Sequence, residues 1–288
     1  MKETSWRHHY LPRFYIKYFC DEKNLLWVYS KQKDRIETKQ KSPKQIFFTP
    51  HGNSTNIDHS VGDFIETLYN FYESNVSTSY LRIKNDIDKF KDDNDLHVKI
   101  NLLITMLLWR IPAYDNIVKQ HIDLNYKVLE AEIKKKYKVI WADLDKSSKY
   151  KYLKTEAIHR ILKSELNCKD DYIYFNYYEF SKNVFLLSDN PILIMNHPGY
   201  NFDVSKPIIF PLSNRKLYFR SDTNSFTFKK DMIYLMNLLL VAQANNYVAN
   251  KDKKTLEFFV NEYRLEKAKL TKFKDDLKLS LFRRLNNK

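Results

Sequence analysis

Two adjacent histidines, His8 and His9, open the run HHYLPRFYIKYF, with Arg13 just beyond them. Proline biases the residue before it toward extended backbone. HHYLP therefore reads as a strand or loop with His8 and His9 on opposite faces, one turned inward and one outward. An inward imidazole beside an arginine suits general acid–base work or phosphate binding. The plainer reading is a core histidine satisfied by a backbone carbonyl.

A second cluster is SDNP, residues 188–191, set between the apolar runs VFLL and ILIM. Ser, Asp, Asn and Pro are turn formers, so a tight hairpin turn is the plain expectation. Asp189 at the end of two buried strands is also placed to orient a histidine, hold a divalent ion or act as a base, with Asn190 beside it. Arg110 ends the most apolar helical stretch, in WRIPAY. A charge next to buried surface must snorkel out or meet a carboxylate or phosphate. Asn237 and Asn245 fall on roughly one face of the expected late helix. Amides there bind a ligand or tie down a neighbouring strand. His197, in MNHPGY, is a weaker metal-ligand candidate alongside Asp189 and either His8 or His9.

These residues need elements to position them. NLLWVYS (24–30) and QIFFTP (45–50) read as strands across a charged turn. DHSVGDFIETLYNFYES (58–74) has helical spacing, with Asp58 as N-cap and Phe64, Leu68, Phe71 and Tyr72 on one side; the stretch 79–92 continues as helix. A core helix over 96–110 must stop near Pro112, and 114–165 is helical and basic. From 172 the period changes to short aromatic or β-branched runs, DYIYFNYYEF through SFTFKK, the pattern of an antiparallel sheet. Helices over 231–249 and about 253–285 close the chain. The expectation is an α+β fold in a single domain over 1–288. Its helical block covers about 58–166, its mostly antiparallel sheet draws on about 10–50 and 172–230, and two helices end it over about 231–286. One sheet joining both strand groups would explain the buried start and bring residues 8–13 toward 188–191.

Composition narrows the chemistry. The 288 residues hold three glycines, Gly52, Gly62 and Gly199. P-loops, dinucleotide-binding turns and nucleophile elbows need closely spaced glycines, so all three are excluded. Cys20 and Cys168, with no C-x-x-C, exclude a disulfide scaffold and cysteine-rich zinc modules. The start lacks a signal-like apolar segment, and INLLITMLLW (100–109) is shorter than the roughly 20 residues of a membrane span. A cytoplasmic protein without a membrane partner is expected. Lys plus Arg exceed Asp plus Glu by 49 − 35 = 14, a surface that attracts polyanions. Basic faces over 127–163 and 251–288 suit a phosphate backbone, although such runs are commonly just solvated.

Taken together, HHYLPRFYIKYF, LLWVY, WRIP, FLLSDNPILI, IIFPLS and MNLLLVAQANNYVA resemble a bacterial family, the domain of unknown function numbered 4238. Its usual opening is H-H-Y-V-P-x-F-Y-L-x-x-F, with R-T-P in the middle and T-S-D-N-P on a later strand. The matching positions are His8, His9, Tyr10, Pro12, Phe14, Phe19, Arg110 and Pro112, then Ser188 to Pro191, Pro211, Leu212 and Ser213, with Asn237 and, less closely, Asn245. Leu11, Ile111 and Leu187 depart from the pattern without touching an ionisable position. The likeness runs to about residue 250. The family carries no assigned activity. What the resemblance implies is that its recurring His, Arg, Asp and Asn positions share one polar site.

The leading expectation is a phosphodiester-directed, nuclease-like enzyme. In it His8 or His9 is the acid or base, Asp189 orients it or binds a divalent metal ion as cofactor, and Arg13 and Arg110 hold the phosphate, joined by Asn190, Asn237 and Asn245 in binding substrate. The basic surface would steer a nucleic-acid partner, and bacterial antiviral defence is a setting such an activity fits. The alternatives are a non-catalytic nucleic-acid- or partner-binding protein, and a small-anion or nucleotide sensor.

Overall fold

The computed structural model describes residues 7–50, 62–85, 94–137, 141–165, 174–194, 207–221 and 228–286. The chain begins with β1 (Arg7–His9), α1 (Arg13–Lys17), β2 (Trp27–Ser30), β3 (Arg35–Ile36) and β4 (Phe48–Pro50). Helices α2 (Gly62–Asn85), α3 (Asn94–Arg110), α4 (Asp115–Tyr137) and α5 (Lys146–Glu165) follow. Then come β5 (Tyr174–Glu179), β6 (Leu187–Ser188), β7 (Leu193–Ile194), β8 (Ile208–Pro211), β9 (Lys216–Ser221), α6 (Lys230–Gln243), β10 (Tyr247–Asn250) and α7 (Lys253–Asn286). The fold is α+β, and every strand pair described is antiparallel. The residues group into two compact units: Met1–Tyr10, Phe48–Asn85 and Asp93–Lys169 in the first, and Leu11–Phe47, Asp86–Asp92 and Asp170–Lys288 in the second.

The first unit is the helical block plus a two-stranded ribbon of β1 and β4, with His8 opposite Thr49 and His9 opposite Phe48. Helix α3 is buried along Leu102, Leu103, Ile104, Met106, Leu107, Leu108 and Trp109, none more than 2% exposed. Burial on all sides is what an all-round apolar helix requires. Helix α2 runs unbroken over Gly62–Asn85, as the expected continuation past residue 79 requires; residues 86–92 lie outside the described residues. Its buried stripe is Tyr69, Tyr72, Val76, Tyr80 and Ile83, at three- and four-residue steps. Phe71 sits off that stripe and is 62% exposed, which corrects its expected place beside Tyr72. Neighbours on a helix point about 100° apart, so one of the pair can be buried while the other is turned to water. The expected cap Asp58, and the side chains of Phe64 and Leu68, lie outside the described residues.

Inside this unit the Tyr72 hydroxyl is hydrogen-bonded to His159 Nδ1 at 2.9 Å. Burial, with Lys136 adding to it, holds His159 below the ordinary histidine range. His121, edge-on to Trp109, is also held low, by burial and then by Arg160.

The second unit carries two four-stranded sheets, ordered β3-β2-β10-β6 and β5-β9-β8-β7. Strands from both ends of the chain do combine, but the expected single sheet is replaced by these two and the separate β1–β4 ribbon. SDNP is the reason for the division. Residue 188 ends β6 in one sheet and 193 begins β7 in the other, so the segment turns a corner between sheets instead of closing a hairpin. The expected strand SFTFKK is absent among its described residues, where α6 begins at Lys230.

The largest correction concerns the late helix. The 231–249 segment is helical only to Gln243; YVAN then forms β10, pairing with β2 on one side and β6 on the other. Asn237 and Asn245 therefore do not share a helical face. Local apolar spacing favours helix through this segment, but two waiting strand edges supply backbone partners that a helix could not use. The change of direction is held from two sides. The Lys31 ammonium donates to the carbonyls of Val241, Ala242 and Ala244 at 3.0, 3.1 and 2.7 Å. The Asp189 carboxylate accepts from the amides of Asn245, Asn246 and Tyr247 at 2.8, 2.6 and 3.0 Å. No glycine stands at this helix end, so lysine meets carbonyls that a left-handed cap would otherwise satisfy.

Helix α7 contains a non-helical residue, Phe273. Tyr234 on α6 bonds Glu262, and Asp231, one turn earlier, pairs with Arg284 at 3.1 Å. A straight helix would separate residues 262 and 284 by roughly 33 Å at 1.5 Å per residue. Side chains one turn apart cannot span that length, so α7 folds back at Phe273.

Two measurements check this account. Asp189→Ala leaves three amides at a buried site without their acceptor, and urea unfolding should show a loss of about 2–4 kcal/mol, with Asp189→Asn between it and the parent. For pH, a histidine whose folded pKa lies below its unfolded value binds its proton more readily when unfolded. The stability from His121 and His159 is thus present above the unfolded value near 6.5 and lost as pH falls through the folded ones. The melting temperature should drop between about pH 7 and 5, and a His159→Gln, His121→Gln double variant should flatten that slope.

Candidate functional site

The first unit encloses a cavity of about 300 Å³. Its wall is built from the β1–β4 ribbon (His8, His9, Thr49) and the adjoining Tyr10, Tyr69 of α2, Arg110 at the end of α3, Pro112 in the turn that follows it and Asp115 at the start of α4. Helix α5 contributes Tyr150, Lys151, Lys154 and Thr155. Those four positions stand at i, i+1, i+4 and i+5, which puts them on one helical face.

Cross-strand partners lie on the same side of a ribbon. His8 is opposite Thr49, and both line the cavity; His8 is 7% exposed. His9 is opposite Phe48, with ring centroids 5.7 Å apart, and Phe48 is not in the wall. The expected division of the pair thus assigns the cavity imidazole to His8. His9 lines the cavity too, and its carbonyl accepts a hydrogen bond from Arg110.

Arg110 joins the cavity as expected, but its guanidinium is already committed. It donates to the His9 carbonyl and to the Glu73 carboxylate, and lies over the Tyr69 ring at 4.4 Å. With its side chain 6% exposed, a salt-bridged and stacked position is what keeps the buried charge affordable. Arg110 fixes β1 against α2 and α3, so it positions the histidine strand.

The remaining cations come from α5. Lys154 pairs with Asp115 at 2.8 Å. Burial pushes the Lys151 ammonium below the usual lysine range, with Asp145 opposing it. The Tyr150 hydroxyl is pushed up to about 12, chiefly by burial and then by Asp115 and Asp123, so it remains an O–H donor at neutral pH. An imidazole, two ammonium groups and a phenol around one hollow are suited to holding an anion and moving a proton beside it.

The cavity includes His8, His9 and Arg110 and none of Arg13, Asp189, Asn190, Asn237 or Asn245. Those five belong to the second unit. Arg13 is exposed at the start of α1. Asn190 exchanges contacts with Gln243, whose amide donates to the Asn190 carbonyl at 2.6 Å. Asn237, fully buried, accepts from the Leu186 amide at 2.9 Å and donates to the Val184 carbonyl at 2.6 Å, the strand-tying role weighed for it. Asn245 offers its backbone amide to Asp189. Burial raises the Asp189 carboxyl, while its three amide donors and Lys31 pull it back down. His197 lies outside the described residues. Among the described residues no three His, Cys, Asp or Glu side chains converge to hold a metal ion.

Glu73, Tyr150, Lys151, Lys154 and Thr155 escaped the sequence reading. The α5 residues were absorbed into a basic helical face over 127–163, and only the i, i+1, i+4, i+5 grouping of Tyr, Lys, Lys and Thr marks them out. Also among the described residues, no single helix is long and apolar enough to cross a membrane.

No curated protein and no solved structure matches the chain. One family does, described as "Protein of unknown function (DUF4238)", over residues 7–254 of the 288. That span holds both histidines, WRIP, SDNP and both asparagines, and with most of its length matched the chain belongs to the DUF4238 family.

Proposed function

We propose that the cavity of the first unit is a phosphodiester-directed, nuclease-like active site with His8 as its acid–base group. The observation that carries this reading is the burial of His8 in a wall shared with Lys151, Lys154 and Tyr150. In an in-line displacement, His8 takes the proton of the attacking water or hydroxyl as the new P–O bond forms; the ester P–O bond breaks, the departing oxygen takes a proton from solvent, and His8 then releases its own. The ammonium groups and the Tyr150 hydroxyl then face the charge that accumulates on the phosphorane oxygens. Arg110 works at one remove, holding the backbone next to His8. The net positive charge of 14 would bring a polyanion to the site at a raised rate.

A second reading draws on one specific feature. Asp115 is paired with Lys154 and Glu73 with Arg110, so the carboxylates nearest the cavity are spent on cations. A hollow left with one imidazole and donors suits a small-anion or nucleotide sensor that binds without turnover.

Labelled RNA and single-stranded DNA incubated with the protein, with and without Mg²⁺ or Mn²⁺, separate the two readings. Cleavage is expected, and His8→Ala should lower its rate by at least about a hundredfold while the circular-dichroism spectrum stays native. Cleavage unchanged in His8→Ala would falsify the catalytic assignment. Saturable nucleotide binding without any product would select the sensor. Arg110→Lys keeps a charge but loses the fork that reaches Glu73 and the His9 carbonyl together. The expected outcome is a fall in kcat with KM changed little, since the arginine positions the histidine strand without holding the substrate.

A further inference from the structure

A second hollow, of about 440 Å³, lies wholly within the second unit, between the first turns of α6 and α7. Its floor is aromatic. Tyr234 lies 6.3 Å from Phe258 and 6.0 Å from Phe259, and the two phenylalanine rings meet edge to face at 5.1 Å, centroid to centroid. Phe259 is buried, but Phe258 is 50% exposed, which leaves part of a large apolar ring in water at the lip. Lys230 and Lys254, both exposed, stand on the wall contributed by α6 and α7 respectively.

We infer that this groove docks single-stranded nucleic acid, with a base stacked on Phe258 and the flanking phosphates met by Lys230 and Lys254. The argument is one of complementarity. Every nucleotide offers a flat apolar face next to an anion, and stacking on an aromatic ring beside a basic rim is the general way proteins hold single strands without reading sequence. An acidic peptide matches the lysines but brings no flat partner for the exposed ring. The cationic character of the chain as a whole favours the same polyanion. The inference does not depend on the cavity chemistry. It adds a holding site outside the first unit, placed on helices whose packing the fold already fixes.

Fluorescence anisotropy with a labelled, hydrolysis-resistant phosphorothioate oligothymidylate, on the full chain in EDTA, follows binding alone. Phe258→Ala should weaken binding about tenfold, and Phe258→Trp should restore or tighten it. Because the ring is half exposed, neither change empties the core. Lys230→Glu and Lys254→Glu should each weaken binding and flatten the plot of log K against log salt by about 0.7 or more. Equal affinity for the parent and all four variants overturns the inference. So does a poly-glutamate peptide that displaces the oligonucleotide at equal concentration from parent and Phe258→Ala alike, because that result assigns the groove to an acidic protein segment. The signal is binding alone, so loss of the cavity's proposed activity leaves this measurement intact, and the converse holds too.

Discussion

The turn between α6 and β10 is the constraint on which the second unit is built. A helix end leaves carbonyls without partners, and a following strand begins with amides facing away from its own chain. Here one lysine takes the carbonyls and one carboxylate takes the amides, both largely withdrawn from water. Burying either charge is costly unless every donor and acceptor around it is used. Asp189 and Lys31 meet that condition by sharing a single turn. The result is a strand set between β2 and β6, which ties the early chain to its late half. The α6 and α7 helices that flank β10 in sequence then pack together, and Lys31 itself lies over the Tyr263 ring of α7 at 5.1 Å.

The first unit solves a similar problem with Arg110. Its guanidinium emerges from the most apolar helix of the chain and meets a carboxylate, a backbone carbonyl and an aromatic face. Three partners of different chemistry suit a planar, delocalised cation better than they would an ammonium. The carbonyl belongs to His9, so the same interaction that makes the arginine tolerable holds the strand that presents His8. Fold stability and site geometry are coupled through one residue.

His8, His9 and Arg110 line the cavity of the first unit, while Asp189, Asn190 and Asn237 lie in the second unit. The polar residues named from the sequence do two kinds of work within their own units: some frame the cavity, and others hold strands and turns. Asp189, Asn190 and Asn237 spend their polar atoms on backbone groups within the second unit. A buried asparagine such as Asn237 is explained by that accounting, because each backbone group it satisfies would otherwise be stranded.

By itself, the sequence determined what depends on neighbours along the chain. The extended HHY step before Pro12, the buried α3 and its stop at Pro112, the strand-rich second half and the α+β class all follow from local periodicity and punctuation. The shortage of glycine removed whole classes of phosphate-binding loop, and the family could be read from its motifs. What only the tertiary structure decided depends on partners far away in sequence. YVAN is a strand because β2 and β6 offer it hydrogen bonds, although its own apolar spacing continues a helix. Tyr150, Lys151 and Lys154 look like any solvated basic face until a ribbon from the chain's beginning is laid near them. Asp189 reads equally well as a catalytic carboxylate or a turn residue, and only the tertiary structure brings to it the three amides from which it accepts. Side-chain spacing encodes the face a residue occupies; what stands opposite that face is set by chain contacts that spacing does not contain.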